Sequence, residues 1–377
     1  MSTPTLSTPT SPSLPWRFSS SIIMGLTGSL SRGFLHGLNY MDVIGLDTFL
    51  ETLNRRKNPE DRDRGLITVS NHVSVMDDPL IWGVLPFSYA FNPGNHRWSL
   101  GSYDICFQTR TLSTFFNLGQ VLPTHRGHTG SPHGGLFQPV MTQAIRLLSC
   151  QPFVKPPPSY TPTLETSDPF STGALTYSTN GVDSFRAPSI YPSRKHSWIH
   201  IFPEGRVHQH PKKTLRYFKW GVSRLILESE PLPEIIPIFI DGNQDVMHES
   251  REFPRFIPRA GKNIRIAFGE SIDGEKIFGE LRERWKKLVC LQKEALARKG
   301  LETNWEMGEL TEGLKYGTEA VALRKEVTMR IRMEVLKVRR SLGYPDEDPK
   351  QGLVDTWIEE GDKDTGRMKD GSWVGDT

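Results

Sequence analysis

The stretch NHVSVMDDP, which begins at Asn71, places a histidine and two aspartates directly after the apolar run GLITVS. Four residues separate His72 from Asp77. A carboxylate beside an imidazole fixes the tautomer of the ring and stabilises the charge that the ring acquires, so such a pair can act as a general base. An aspartate at this place can also be a helix N-cap, whose oxygens accept hydrogen bonds from free amides. The spacing alone leaves both interpretations open.

Helix geometry limits how these two side chains can meet. Five helical steps rotate a side chain by roughly 140°, so His72 and Asp77 cannot share one face of a regular helix. They can meet if His72 lies in a turn after a strand and Asp77 lies in the first turn of a helix. The apolar run 66–70 predicts that strand, and a helix is predicted to begin near Val75. Asp78, which precedes a proline, is interpreted as a structural residue.

Three further segments place polar residues where predicted strands end. They are GQVLPTHRG at 119–127, IFPEGR at 201–206 and IIPIFIDG at 235–242. Arginine can bind a phosphate through two parallel hydrogen bonds, and glycine lets a ligand approach the backbone. In open α/β sheets, ligands bind at the carboxyl ends of the strands. The candidate binding residues at these ends are Arg126, Glu204, Gly205 and Arg206.

Short segments rich in isoleucine, valine and phenylalanine recur along the chain, with helical patterns between several of them. The candidate strands are residues 66–70, 96–102, 119–124, 197–202, 234–240 and 262–268, and residues 44–56 form a candidate helix. This alternation predicts an α/β fold with a mixed sheet flanked by helices.

Composition divides the chain into six segments. The predictions are a disordered N-terminus at 1–13, the first part of the main domain with an N-terminal membrane-associated segment at 14–150, a flexible Pro/Ser/Thr-rich insertion at 151–196, the second part of that domain at 197–300, amphipathic C-terminal helices at 301–345 and an acidic disordered tail at 346–377. No stretch reaches the about 20 predominantly apolar residues that a membrane-spanning helix needs.

Residues 215–229 and 323–342 have apolar side chains at helical spacing, with many basic residues around them. A basic amphipathic helix can lie in a membrane interface. A helix that packs on the protein core and keeps a solvated basic side has the same pattern. Both interpretations stay open for these two segments.

The charge of the chain is unevenly distributed. The net charge of +3 gives no indication of a nucleic-acid partner. The tail 346–377 contains ten acids and four bases, so the rest carries about +9, which suits an anionic surface or substrate. Three widely spaced cysteines argue against a disulfide framework and a zinc site. Four histidines that fit no metal-binding pattern are His196, His200, His208 and His210. We therefore expect no metal.

In order along the chain, NHVSVMDDP, GQVLPTHRG, FPEGR and IIPIFIDG resemble the four sequence blocks of the glycerolipid acyltransferase superfamily, whose first block is His-x4-Asp. The stretches SSIIMGLTG, LITVSNHVSVMDDPLIWG and FPRFIPRAGKNIRIAFGESI are further similar to the mitochondrial phospholipid–lysophospholipid transacylases of that superfamily. The resemblance covers roughly residues 15–150 and 197–300, and the length and the insertion resemble fungal members.

This resemblance implies a glycerol-3-phosphate acyltransferase-like fold with interfacial, membrane-associated helices. His72 matches the catalytic base of the superfamily, and Asp77 matches its orienting carboxylate. The residues that match the glycerophosphate-binding blocks are Arg126, Glu204 and Gly205. Two positions depart from the pattern, because Arg206 stands where a lysine is common and His125 stands where a smaller apolar residue is expected.

The reaction implied by the resemblance is CoA-independent transfer of an acyl chain from phosphatidylcholine to monolysocardiolipin, which remodels cardiolipin and needs no cofactor. The implied location is the intermembrane-space face of the outer or inner mitochondrial membrane, where the protein would be peripheral or monotopic. An acyl-CoA-dependent lysophospholipid acyltransferase is an alternative, because it shares the same blocks. A non-catalytic membrane-binding protein is an alternative of another class, because amphipathic segments alone would suffice for it.

Overall fold

A computed structural model describes residues 10–127, 132–149, 176–301, 303, 305–354 and 365–375. The helices are α1 (Leu14–Leu38), α2 (Leu46–Arg55), α3 (Asp77–Gly83), α4 (Phe87–Ala90), α5 (Tyr103–Cys106), α6 (Arg110–Leu118), α7 (Pro139–Leu148), α8 (Gly221–Glu228), α9 (Asn243–Val246), α10 (Gly274–Ala297), α11 (Glu312–Tyr316) and α12 (Thr318–Ser341). The strands are β1 (Tyr40–Ile44), β2 (Leu66–Ser70), β3 (Arg97–Ser102), β4 (Val121–Thr124), β5 (Thr176–Tyr177), β6 (Phe185–Arg186), β7 (Trp198–Ile201), β8 (Val207–Gln209), β9 (Glu234–Asp241), β10 (Asn263–Phe268), β11 (Gly366–Arg367) and β12 (Trp373–Gly375). Within the described part of the chain, no helix is long and apolar enough to cross a membrane.

A seven-stranded sheet with the order β1-β10-β9-β2-β7-β3-β4 forms the centre of the fold. Neighbouring strands from β9 to β4 are parallel, β10 runs antiparallel to β9, and β1 is parallel to β10. The prediction of a mixed sheet flanked by helices is therefore confirmed. Strands β2, β4, β7 and β9 point the same way. The polar residues at or after their carboxyl ends, which belong to the four motif segments, therefore lie at one edge of the sheet.

Alternate side chains of the strands enter two apolar layers. In β2, Leu66 faces one layer, while Ile67 and Val69 face the other. The first layer contains residues from α1, α2 and α3, and the second contains residues from α7, α8, α10 and α12. Both faces of β2 and β7 are covered, which explains why the sequences of these strands are almost continuously apolar.

The two basic amphipathic segments contribute to the core. Helix α8 begins at Gly221, so the predicted helix 215–229 is wrong in its first six residues. Leu215 and Phe218, which precede α8, are nevertheless buried. The buried apolar side chains along α12 include Leu323, Val327, Ile331 and Val335. Since the core covers these apolar faces, the alternative of a membrane interface is wrong for them.

The described parts of the insertion and of the tail belong to the fold. Strands β5 and β6 form a hairpin, and Tyr177 and Phe185 from it pack against Phe107. Strand β12 pairs with β8, and β11 pairs with β12. The flexibility predicted for 151–196 and the disorder predicted for 346–377 are therefore wrong for these parts, because the insertion packs its side chains on Phe107 and the tail pairs its backbone with β8. The remaining parts of both segments, like residues 1–9, lie outside the described residues.

Candidate active site

The turn at residues 71–76 connects β2 to α3 at the carboxyl edge of the sheet. Asn71 holds its start, because the side-chain amide group exchanges two hydrogen bonds of 2.8 Å with the backbone of Ile240 in β9. The carbonyl oxygen of His72 accepts a hydrogen bond of 2.8 Å from the N–H of His208 in β8. Two strands distant in sequence therefore fix the turn.

His72 and Asp77 meet in this turn, as the spacing predicts. Nδ1 of His72 lies 2.9 Å from Oδ2 of Asp77. Because an ionised carboxylate can only accept, we assign the proton to Nδ1, which leaves Nε2 with a lone pair. The side chain of Asp77 is fully buried, whereas that of His72 is 19% exposed. The imidazole can therefore contact a ligand that the carboxylate cannot reach.

The carboxylate of Asp77 is held by residues outside helix α3. Its Oδ2 accepts hydrogen bonds from the amides of Val73 and Ser74, at 2.6 and 2.8 Å, and both residues precede the helix. Its Oδ1 accepts a hydrogen bond of 2.8 Å from Nδ2 of Asn243. The N-cap interpretation is therefore wrong for Asp77. Sequence reasoning missed Asn243, whose only signal is its place directly after the segment IIPIFIDG.

Glu204 joins two turns inside the protein. Its Oε1 accepts a hydrogen bond of 2.9 Å from the N–H of His72, and its Oε2 accepts one of 2.8 Å from the N–H of Arg216. The residue is 1% exposed. Glu204 does not line the cavity that His72 faces, and the backbone engages both of its carboxylate oxygens, so its contact with substrate stays a prediction. Its charge holds the backbone of His72 in position.

Aromatic rings support the imidazole of His72. The ring of Phe202 stacks on it, with centroids 4.4 Å apart and planes inclined by 25°. His200 contacts the same phenyl ring edge-on at 4.5 Å. Burial lowers the pKa of His200 to about 3, so this second imidazole is neutral at physiological pH. Sequence reasoning missed the role of Phe202 because stacking depends on the crossing of two turns.

His72 lines a cavity of about 710 Å³, a volume typical of small-molecule sites. Apolar side chains in the wall include Leu100, Phe116, Val121, Met141 and Trp220. The cations in the wall are Arg126, Arg206, Arg216 and Lys219. Asp78 is the one carboxylate among the described residues that line the cavity. The excess of positive charge suits a phosphate, and the apolar wall suits a hydrocarbon chain.

Three of the predicted binding residues reach this cavity. Arg126 lines it and also forms an ion pair with Asp104. Arg206 lines it and is 3% exposed. Gly205 has φ +66°, and a Cβ atom there would lie 2.8 Å from the side chain of Lys219. The positive φ therefore favours glycine at this position, whereas the end of the Lys219 side chain could move away from a Cβ atom.

Asp78 is a structural residue, as the sequence indicates. Its Oδ1 accepts hydrogen bonds from Nε of Arg97 at 3.1 Å and from Nε1 of Trp82 at 3.0 Å. Burial alone would raise the pKa of Asp78, but the charge of Arg97 and these hydrogen bonds outweigh burial and hold the pKa below its ordinary value. Because Arg97 compensates this carboxylate, the cavity keeps its positive character.

His125, which departs from the superfamily pattern, contacts the insertion. Its ring stacks on Tyr103 at 4.2 Å, and its Nε2 lies 2.8 Å from Oγ1 of Thr179. An apolar residue could not form the hydrogen bond. His125 therefore connects the insertion to the end of β4, directly beside Arg126. No group of three His, Cys, Asp or Glu side chains in the described part of the chain could hold a metal ion.

Comparison with known proteins identifies the family. Residues 48–241 match the family model described as Acyltransferase. The chain is 35% identical to the tafazzin of Saccharomyces cerevisiae over 350 residues, which cover 91% of this chain and 83% of that protein. The chain belongs to the tafazzin family of acyltransferases. It is also 28% identical to the taffazin of Dictyostelium discoideum over 265 residues, which cover 70% of this chain and 73% of the relative.

Among solved structures, the chain matches the 1-acyl-sn-glycerophosphate acyltransferase PlsC of Thermotoga maritima. The match has 16% identity and a TM-score of 0.37, and it covers 76% of this chain and 81% of that chain. As a tafazzin-family protein, the chain is an acyltransferase. The matched range 48–241 includes His72, Asp77 and the candidate binding residues, whereas Asn243 lies just beyond it.

Proposed function

We propose that the protein transfers an acyl chain from a phospholipid to a lysophospholipid without CoA, with phosphatidylcholine as donor and monolysocardiolipin as acceptor. The observation that carries this proposal is the His72–Asp77 pair, whose imidazole faces a cavity with cationic and apolar walls. Membership of the tafazzin family supports acyl exchange between lipids. The dimensions and charges of the cavity suit a substrate with a phosphate and an acyl chain.

In the proposed mechanism, Nε2 of His72 removes the proton from the free hydroxyl of the lysolipid. The oxygen then attacks the ester carbonyl of the donor, and a C–O bond forms as the carbonyl becomes an oxyanion. When the oxyanion collapses, the bond to the departing lysophospholipid breaks and its oxygen takes the proton from His72. Asp77 stabilises the imidazolium between these two steps. An ester replaces an ester, so one base serves both directions and no covalent enzyme intermediate is needed.

The positive wall of the cavity would bind the lipid phosphates. Arg126 and Arg206 come from two different strand ends and line one cavity with His72. Binding a phosphate there would hold the glycerol hydroxyl near the imidazole, and such positioning can supply a large part of a rate enhancement. Gly205 would allow the phosphate to approach the backbone between them. The position of these three residues in the cavity wall supports these roles, whereas Glu204 would act through the position of His72.

We assign membrane contact to the outer face of helix α1. The outward side chains Leu14, Phe18, Leu26 and Leu30 are 72, 70, 55 and 75% exposed. Helix α1 also carries Arg17 and Arg32 and no acidic residue. A helix that packs on a protein core normally has a polar outer face, so this apolar face suits the acyl region of a bilayer. The proposed location is a mitochondrial membrane facing the intermembrane space.

The proposed function is tested by transfer of labelled acyl groups from phosphatidylcholine to monolysocardiolipin in neutral detergent micelles, with and without CoA. We expect transfer without CoA, and a decrease of at least about 10²-fold for His72→Ala, which removes the base. Lys287→Gln, at an exposed position of α10, is the control and should keep the wild-type rate. Transfer only from acyl-CoA would favour the CoA-dependent alternative. Full activity of His72→Ala would exclude the proposed mechanism.

A further inference from the structure

The segment REFPRFIPRAGK, the 251–262 loop, connects α9 to β10 and exposes large apolar side chains. Phe253 is 87% exposed, Phe256 is 74% exposed and Ile257 is 45% exposed. Single exposed apolar residues are common on protein surfaces, but three within five positions of one loop form a patch. Neither the cavity nor the core of the protein uses these side chains.

The same loop carries a concentrated positive charge, with four basic residues and one acid. Arg255 donates hydrogen bonds of 3.3 Å to the carbonyl oxygens of Arg251 and Glu249, and Arg259 donates one of 3.1 Å to the carbonyl oxygen of Glu252. Arg251 also forms an ion pair of 4.0 Å with Glu249, which lies just before the loop. The loop therefore presents cationic groups, held in place by hydrogen bonds, beside exposed aromatic side chains.

The loop ends beside the apolar helix α1. The N–H of Gly261 donates a hydrogen bond of 2.8 Å to the carbonyl oxygen of Leu38, the last residue of α1. The N–H of Lys262 donates one of 3.0 Å to Oδ1 of Asn39. Leu38 and Tyr40 are 56% and 70% exposed at this junction. Exposed apolar groups therefore lie on the loop and also at the end of α1, to which the loop is hydrogen-bonded.

We propose that the 251–262 loop is a docking surface for an anionic lipid bilayer. The phenylalanine rings enter the boundary between headgroups and acyl chains, and the arginines contact lipid phosphates at the same depth. Each basic residue near an anionic leaflet adds about 1 kcal/mol of attraction, which is about fivefold in binding. This inference rests on the proposed function, because an enzyme that exchanges acyl chains between lipids must meet them at a membrane.

Charge complementarity favours a bilayer over a protein partner. The apolar residues of the loop alternate with the arginines rather than forming a neutral patch with a polar rim. Core positions of protein interfaces are depleted in charged residues. A bilayer surface, by contrast, presents phosphates and hydrocarbon within a few ångströms of each other, and interfacial segments combine basic and aromatic side chains.

The test measures partitioning of the purified full chain onto phosphatidylcholine vesicles, with and without phosphatidylglycerol. For the double variant Arg255→Gln/Arg259→Gln, we expect binding to the anionic vesicles to decrease about 30-fold, with little change on neutral vesicles. The matched control is Arg298→Gln/Lys299→Gln, which removes two exposed charges beyond the end of α10. This control should bind like wild type, apart from a small loss of long-range attraction.

The aromatic part of the surface is tested with Phe256→Ala, which should weaken binding to both vesicle types by about tenfold. Val182→Ala, at a position that is 92% exposed in the insertion, is its control. Thermal unfolding of each variant verifies that the fold is intact. Loop variants that bind anionic vesicles within twofold of wild type would overturn the loop proposal.

Acyl transfer in neutral detergent micelles separates this inference from the proposed function. Loop variants that keep micellar transfer but lose vesicle binding would support the docking surface. Wild-type protein that shows no transfer in micelles would contradict the proposed function, whatever the vesicles show. If the loop variants retain both vesicle binding and micellar transfer, the loop proposal is rejected and the proposed function stands.

Discussion

Glu204 and Arg126 illustrate how two charged residues in neighbouring motifs can have different functions. The carboxylate of Glu204 accepts backbone hydrogen bonds from His72 and Arg216 and is shielded from the cavity. The guanidinium of Arg126 lies in the cavity wall. A buried acceptor that loses its charge disturbs the groups that it orients, whereas a cavity cation that loses its charge weakens the binding of an anion.

Substitution of these residues should therefore affect different kinetic constants. Glu204→Gln places an amide group against one of two N–H donors, so His72 shifts and kcat should decrease about tenfold or more with little change in KM. Arg126→Gln should raise KM for the lysolipid about tenfold with a smaller effect on kcat. Initial rates in micelles against lysolipid concentration provide both constants. A rise in KM for Glu204→Gln with unchanged kcat would indicate direct substrate contact.

The sequence predicts part of this site because some of its contacts are local. His72 and Asp77 lie within one turn, so their spacing and the preceding strand are enough to predict their contact. Asn243 reaches the same carboxylate from 166 positions away. Glu204 and Phe202 contact His72 only because β7 lies beside β2. A single sequence contains no signal for this pairing of strands, so the roles of these residues could not be predicted.

At the scale of elements, the C-terminal strand β12 supports the turn that carries His72. Val374 in β12 pairs with His208 in β8, and the N–H of His208 donates to the carbonyl oxygen of His72. The side chain of Gln209 donates a hydrogen bond of 2.8 Å to the carbonyl oxygen of Val73. Strand β8 therefore lies between the C-terminal segment and the 71–76 turn, and loss of β12 would leave β8 with one edge unpaired.

Val374→Asp should detach β12, because Val374 is 1% exposed and a buried charge without a partner is costly. We expect a severalfold decrease in kcat and faster hydrogen exchange of amides 207–209 and 72–74. Both are measured on the full chain, by micellar transfer and by hydrogen–deuterium exchange. Lys369→Gln changes the net charge by the same amount at an exposed position of this segment and should resemble wild type. Unchanged exchange at 72–74 in Val374→Asp would show that β12 does not support the turn.

The elements themselves were predictable where burial dominates their sequence. The central strands β2, β7 and β9 are nearly all buried, and their apolar runs identify them. Strand β1 was missed because it lies at the edge of the sheet and none of its five side chains is buried, so it has no apolar run. Strands β11 and β12 contain two and three residues, so they exist only through pairing with each other and with β8. Such short strands have no periodicity that a sequence could reveal.

At the scale of the whole molecule, a layer of buried rings connects helix α3 to the sheet beneath the candidate site. The indole of Trp82 contacts the rings of Trp198 at 4.8 Å, His200 at 4.9 Å and His96 at 6.3 Å. Burial is the largest cause that lowers the pKa of both His96 and His200 to about 3, and the charge of Arg97 acts in the same direction. Both imidazoles are therefore neutral in the folded protein, whereas in the unfolded chain their pKa is about 6.5.

This difference makes global stability depend on pH. Between about pH 6.5 and pH 3 the unfolded chain binds protons that the folded protein excludes, so the free energy of unfolding decreases as the pH falls. From pH 7 to pH 5 the expected loss is about 2 kcal/mol for each of the two histidines. Urea unfolding at the two pH values measures it. In His200→Gln one of the two contributions is absent, so this variant should lose about 2 kcal/mol less than wild type over the same interval, even if its stability at pH 7 is lower. An equal loss in the variant and in wild type would mean that His200 accepts a proton in the folded state, and the ring layer would then tolerate a charge beneath His72.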